Sequence, residues 1–124
     1  AVSAGDSQSL AITADGSVWS WGLGASGQLG HRDVQRQPLP KKVEAFAGPR
    51  VVAVSAGYSH NLAITADGAV WSWGHGYHGR LGHGDTQNQL LPKKIEAFAE
   101  QRVIAVSAGR EHSLALIADG AVWS

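Results

Sequence analysis

The residues with the most chemical potential sit in two glycine-rich stretches, Gly22-Leu-Gly-Ala-Ser-Gly27 and Gly74-His-Gly-Tyr-His-Gly79. Both spell the G-x-G-x-x-G that leads a strand into a helix and lets backbone N–H groups cradle a pyrophosphate. That chemistry needs a helix directly after the glycines and a parallel strand reached through a crossover. Neither pattern follows, so both stretches are expected to be loops that need positive φ at several places. His75, His78 and His83, with Asp85 nearby, could be imagined around a metal ion. Their spacing fits no common zinc pattern and the chain contains no Cys, so they read as solvated loop histidines. No Ser, His and Asp set is concentrated enough for a nucleophilic triad. No catalytic, cofactor-binding or metal-binding residue is assigned, no cofactor is expected, and the chain reads as a non-enzyme.

What must position these residues is a repeat. Residues 1–52 match residues 53–104 at 36 of 52 positions, and residues 105–124 match 53–72 at 15 of 20. The expected units are therefore 1–52, 53–104 and a partial 105–124, a period that belongs to solenoids, propellers or arrays. Val51–Ser55, Asn61–Thr65 and Ala69–Trp73 are short and rich in β-branched or aromatic residues, and they read as strands. Asp15-Gly16, Asp67-Gly68 and Asp119-Gly120 each sit between two such runs, where a tight hairpin needs residues that tolerate positive φ. A fourth strand is expected over Lys93–Phe98 after Pro92, a stretch too short for a helix. The expected fold is all-β, a partial β-propeller of about 2.4 four-stranded antiparallel blades. Several strands are apolar on both faces, as a sheet sandwiched between neighbours requires. The pairs Trp19/Trp21 and Trp71/Trp73 then serve blade packing, and Lys41-Lys42 and Lys93-Lys94 read as a charged outer strand guarding a sheet edge.

Ten basic and ten acidic residues leave a net charge of zero, so no overall field draws in nucleic acid, which is not an expected partner of this segment. No apolar run approaches the roughly 20 residues of a membrane-spanning helix, and no membrane partner is expected. The pattern breaks off at Ser124 where earlier copies continue with Trp-Gly, which reads as a segment of a longer ring. Made alone, such a segment is expected to self-associate.

The run Ala53-Val-Ser-Ala-Gly57, His60, Leu62-Ala-Ile-Thr-Ala-Asp-Gly68, Val70-Trp-Ser-Trp-Gly74 and Gly79-Arg-Leu-Gly82 closely resembles the repeat of the regulator of chromosome condensation family. The resemblance covers the whole chain and implies a propeller, commonly seven-bladed, in a cytoplasmic or nuclear setting. One departure is Gln8, where the pattern has the histidine seen at His60 and His112; the position is expected to be structural. Family functions range from nucleotide exchange on the small GTPase Ran through chromatin docking and ubiquitin-ligase substrate modules to β-lactamase inhibition and ultraviolet-B reception. The photoreceptor members carry Gly-Trp-Arg-His, but this chain has Gly5-Asp-Ser-Gln8, Gly57-Tyr-Ser-His60 and Gly109-Arg-Glu-His112. Exchange factors work through an inserted hairpin, and neither full repeat here has an insertion.

Differences between the copies show where a partner would bind. In the loop after the first strand Asp6 becomes Tyr58 and then Arg110, with Glu111 beside it. In the loop after the third strand Leu23, Ala25, Ser26 and Gln28 become His75, Tyr77, His78 and Arg80. The Ala-Asp-Gly turn never changes. In an up-down meander the two variable loops share one rim and the constant turn lies on the other. Asp6, Leu23, Tyr58, His75, Tyr77, His78, Arg80, Arg110 and Glu111 are the candidate partner-binding rim, rich in residue types that dominate interfaces. The expected function is a non-catalytic protein-interaction scaffold, the alternative being part of a guanine-nucleotide exchange factor for a Ran-like GTPase.

Overall fold

A computed structural model describes all residues, 1–124, and its regular structure is antiparallel strand apart from three short 3-10 turns. The first sheet has the order β1 (Val2–Ala4), β2 (Gln8–Ile12), β3 (Val18–Gly22) and β4 (Gln37–Lys42). The second repeats it with β5 (Val51–Ala56), β6 (His60–Thr65), β7 (Val70–Gly74) and β8 (Gln89–Lys94). The third has three strands, β9 (Val103–Ala108), β10 (Ser113–Ile117) and β11 (Val122–Trp123). These are the blades of a propeller, two with four strands and one with three.

Every residue of β6 is buried, because one face packs on the first blade and the other on the third sheet. Two cores result. Leu10, Val18, Val43 and Phe46 of the first blade meet Val51, Ala63 and Trp73 of the second; Ile64, Val70 and Ile95 of the second meet Val103, Ala115 and Ile117 of the third. Phe46 lies between Trp71 and Trp73, each edge-on at 5.6 Å, so the tryptophan pair is blade packing as its spacing implies. Serines stitch the inner strands: the Ala56 N–H donates to Ser3 Oγ at 3.0 Å and the Ala108 N–H to Ser55 Oγ at 3.1 Å.

The fourth strand lies earlier than expected. It spans Gln89–Lys94, and Glu96–Phe98 form a single 3-10 turn. Pro92 fits within β8 because this is the outer strand, paired only with β7, where a missing N–H costs no ladder bond. After Ile95 donates to the Val70 carbonyl, the turn brings Phe98 back towards the third sheet.

The constant turns also differ in detail. Only the glycines take positive φ, +84° at Gly16, +85° at Gly68 and +94° at Gly120, while the aspartate acts through its side chain. Asp67 Oδ1 accepts from Thr65 Oγ at 2.6 Å and from the Ala69 N–H at 3.1 Å, and these bonds hold its carboxyl below the usual carboxylate range. The next blade rests on each turn: the Val51 N–H donates to the Gly16 carbonyl and the Val103 N–H to that of Gly68. A Cβ on Gly68 would stand 2.9 Å from Arg102 Cγ. This rim is invariant because it is a joint between blades.

Candidate functional site

The variable loops do share the opposite rim, tied together by backbone bonds. Leu23 N–H donates to the Ser7 carbonyl at 2.8 Å and His75 N–H to that of Ser59 at 2.9 Å, joining the two loops within each blade. Longer bonds of 3.4 Å join neighbouring blades, from Asp6 N–H to the Tyr58 carbonyl and from Tyr58 N–H to that of Gly109. Asp6, Tyr58 and Arg110 thus form an inner row, with the Arg110 guanidinium 4.8 Å from the centre of the Tyr58 ring. That stacking leaves Tyr58 42% exposed.

An outer row follows from the loop after β7. Tyr77 is 58% exposed, its ring 4.1 Å from that of His78 and 6.0 Å from that of His75. His78 holds a φ of +64°, a left-handed conformation uncommon among non-glycine residues. Its Nε2 lies 3.8 Å from Glu111 Oε1 of the third sheet's loop and links the two rows. Leu23, 41% exposed, sits alone at the first blade's end of this rim.

Arg80 departs from its expected place. Only 6% exposed, it lies beneath the rim, its Nε donating to the Tyr77 carbonyl at 2.8 Å and one Nη to that of Arg110 at 3.1 Å. Its cation therefore braces the two loops from inside and offers a partner no surface. In the first blade Gln28 fills the same buried position, its amide oxygen accepting from the Ser26 N–H.

Two further expectations resolve at this end of the sheets. Gln8 is structural, as its place in the repeat implies: its amide donates to the Gly57 carbonyl at 3.1 Å and to Asn61 Oδ1 at 3.2 Å. His83 is not a solvated loop histidine. Its Nε2 bonds Ser72 Oγ at 2.8 Å, as that of His31 bonds Ser20 Oγ at 2.9 Å, and partial burial pushes both imidazoles down from their ordinary pKa. Sequence reasoning passed over these Ser–His pairs, whose signal is their recurrence at the repeat period. They resemble a nucleophile and its base, but each serine is fully buried and its hydroxyl bonds a backbone carbonyl, that of Leu29 or Leu81, at 2.7 Å. A proton committed in this way is not one a base can take, and the pair closes the loop onto its strand. The glycine-rich stretches are loops, with positive φ at Gly22, Gly27, Gly74 and Gly79.

Comparisons with known proteins agree with this architecture. Two models described as the regulator of chromosome condensation (RCC1) repeat match the chain, one over residues 15–64 and 67–116, the other over 1–28 and 51–80. The ultraviolet-B receptor UVR8 of Arabidopsis thaliana is 37% identical over 123 residues, which are 99% of this chain and 28% of that protein. Among solved structures, human WBSCR16 superposes with a TM-score of 0.89 at 31% identity, over 98% of this chain and 32% of its own. Prp20p of Saccharomyces cerevisiae, described with its binding to Gsp1p and histones, superposes with a TM-score of 0.82 at 26% identity, over 93% of this chain and 30% of its own. The chain thus spans less than a third of each of these proteins.

Proposed function

Because the chain belongs to the regulator of chromosome condensation repeat family, we propose that it is a non-catalytic, protein-binding segment of a regulatory propeller, with the variable rim as its binding face. Its repeat units are residues 1–52, 53–104 and 105–124. The observation that carries this reading is the double row of Asp6, Tyr58 and Arg110 beside Tyr77, His78, Glu111 and the half-buried His75, on loops whose backbones are bonded from blade to blade. The Tyr58 ring, held by the Arg110 guanidinium, and the Tyr77 ring, packed against the His75 and His78 imidazoles, lose little side-chain freedom on binding, which is what an interface anchor requires. The opposite rim keeps the same Ala-Asp-Gly turn in all three copies, and supports the reading by contrast.

Histones and Gsp1p are the probes of choice, since Prp20p is described as binding both. In titration calorimetry a saturable interaction is expected, weakened at least about tenfold when Tyr58→Ala and Tyr77→Ala are combined, as loss of two interface aromatics implies. Binding that ignores both substitutions would refute the rim. A second reading, nucleotide exchange, draws on the likeness to Prp20p and its association with Gsp1p. Accelerated release of labelled GDP from Gsp1p would favour it, and binding without acceleration favours the scaffold.

A further inference from the structure

A cleft of about 420 Å³ opens between the two four-stranded blades, walled by Gly30, His31, Arg32, Lys41 and Glu44 of the first and by Leu91 of the second, among others. All of its charged groups come from the first blade, and the second presents only a leucine. The chain's one ion pair joins His78 to Glu111, so the Arg32 guanidinium and the Lys41 ammonium both stand without a carboxylate oxygen within 4.0 Å. The imidazole beside them is fixed in one tautomer. Ser20 Oγ donates its proton to the Leu29 carbonyl at 2.7 Å, so at 2.9 Å it accepts from His31, and Nε2 carries the hydrogen. The lone pair is then on Nδ1, which bonds nothing in the chain and, unlike Nδ1 of His60, is not sealed from solvent. Burial, then Lys41, holds this imidazole below its ordinary 6.5 against the opposing pull of Asp33 and Glu44, which keeps the lone pair free near neutral pH. The Asp33 carboxylate is engaged elsewhere, accepting from the Gln35 N–H at 3.2 Å.

Arg32 stands where the backbone suits glycine. Its φ is +67°, and the equivalent residue of the second blade is Gly84 at +82°. A side chain on a left-handed residue is crowded by the neighbouring carbonyl, and such positions gather at sites of function. The Arg32 N–H donates to the Leu90 carbonyl at 2.9 Å, a bond that glycine would make equally well. The blade therefore has no need of the guanidinium, and what the arginine adds is charge at the cleft. His83, Lys93 and Glu96 repeat the other three polar groups in the second blade, so Arg32 is what distinguishes the first.

We propose that this cleft binds a singly protonated phosphoryl group, of inorganic phosphate or of a phosphate monoester, with Arg32 and Lys41 on its anionic oxygens and His31 Nδ1 accepting its P–O–H. Charge selects the form. Arg32 and Lys41 against Glu44 leave one net positive charge beside a neutral imidazole, which matches a monoanion. A dianion with no proton to give would face both the Glu44 carboxylate and the Nδ1 lone pair, and sulfate near neutral pH is such an ion. Guanidinium and ammonium supply the charge-assisted bonds, and the histidine supplies the discrimination. None of these residues belongs to the partner-binding rim, so the proposal stands apart from that reading.

The test titrates inorganic phosphate, N-acetyl-phosphoserine amide and sulfate into the chain at about pH 6.5, while amide and imidazole nitrogen shifts are followed by NMR. Saturation by both phosphoryl probes below about 10 mM is expected, with shifts at His31, Arg32 and Lys41, and with sulfate at least about tenfold weaker. The His31 Nδ1 resonance should leave its bare lone-pair position only with the phosphoryl probes. Between about pH 6.5 and 8 the affinity for them should fall at least about fivefold, because the monoanion of an ester with a second pKa of about 6 disappears over that range. A plain cationic patch would instead gain as the ligand's charge doubles. Arg32→Gly should fold as before, since glycine holds this place in the second blade, and should bind phosphate at least about tenfold more weakly. Tighter binding of the ester than of inorganic phosphate assigns the site to a phosphorylated molecule, and parity assigns it to the free ion; either supports the proposal. Undiminished binding by Arg32→Gly, sulfate as tight as phosphate, an affinity that rises with pH, or no saturable binding would overturn it.

Discussion

His60 and Gln8 occupy equivalent places between blades and meet the same need with different chemistry. The Gln8 amide bonds the next blade's backbone directly; His60 is fully buried, bonds Ser113 Oγ at 3.0 Å through Nε2, and leaves Nδ1 without a partner. Burial, then the Arg80 guanidinium, pushes its pKa from 6.5 down to about 4. The unfolded chain therefore takes up a proton that the folded chain refuses, and stability that is full above pH 6.5 falls as the pH drops towards about 4. In His60→Gln this limb should shrink in urea melts recorded across that range, leaving the part due to His31, His75 and His83, whose imidazoles burial also pushes down. The limb from Asp15, whose turn hydrogen bonds hold its pKa at about 2 against an ordinary 3.8, should remain below it. An upper limb undiminished in His60→Gln would assign it elsewhere. Truncations separate scaffold from rim in the same way. Trp73→Ala should cost about 3–5 kcal/mol as loss of a buried ring, and Tyr77→Ala less than about 0.5 kcal/mol. Arg80→Ala should cost about 1–3 kcal/mol, because it strips donors from two carbonyls beneath the rim. The roles of Trp73 and Gln8 were legible in sequence because the copies fix what a blade needs. Arg80 was not: variation between copies marks a position as free in type, and Gln28 and Arg80 vary while both stay buried.

At the scale of elements the hairpins were readable and the outer strand was not. Strands β5 to β7 lie within a residue of where composition and turn signals put them, since each is short, β-branched and bounded by glycine. β8 carries Pro92 and two lysines, so it lacks that pattern; of the apolar residues after it, Ile95 precedes and Phe98 ends a 3-10 turn that packs the blade. Burial also differs among equivalent strands. β6 is buried throughout, whereas β10 mixes buried with exposed residues and β11 is exposed. Native-state hydrogen exchange should find the slowest amides in β6 and faster ones in β10 and β11, because opening follows the extent of packing. Uniform protection across the three sheets would mean that they open as one unit. Gly68→Ala tests the blade joint: with a φ of +85° and Arg102 in the way, it should cost more than the roughly 1 kcal/mol of an unobstructed left-handed site.

For the whole molecule, the periodicity legible in sequence implied blades stacked through both faces, and the third sheet leaves one face uncovered. Leu114 and Val122 are 39% and 67% exposed on it. We expect the chain to self-associate through such end faces, visible as a mass that rises across about 5–200 µM in light scattering after size exclusion. A constant monomer mass would show that these faces are tolerated in water. The central claim, that one rim receives a protein partner while the other holds the blades together, is tested most directly by mapping amide shifts of the chain as histones are titrated in. The account predicts perturbations in loops 57–59, 75–80 and 109–111, where Tyr58, His75, Tyr77, His78, Arg110 and Glu111 reside. Perturbations confined to the turns at 14–16, 66–68 and 118–120 would contradict it.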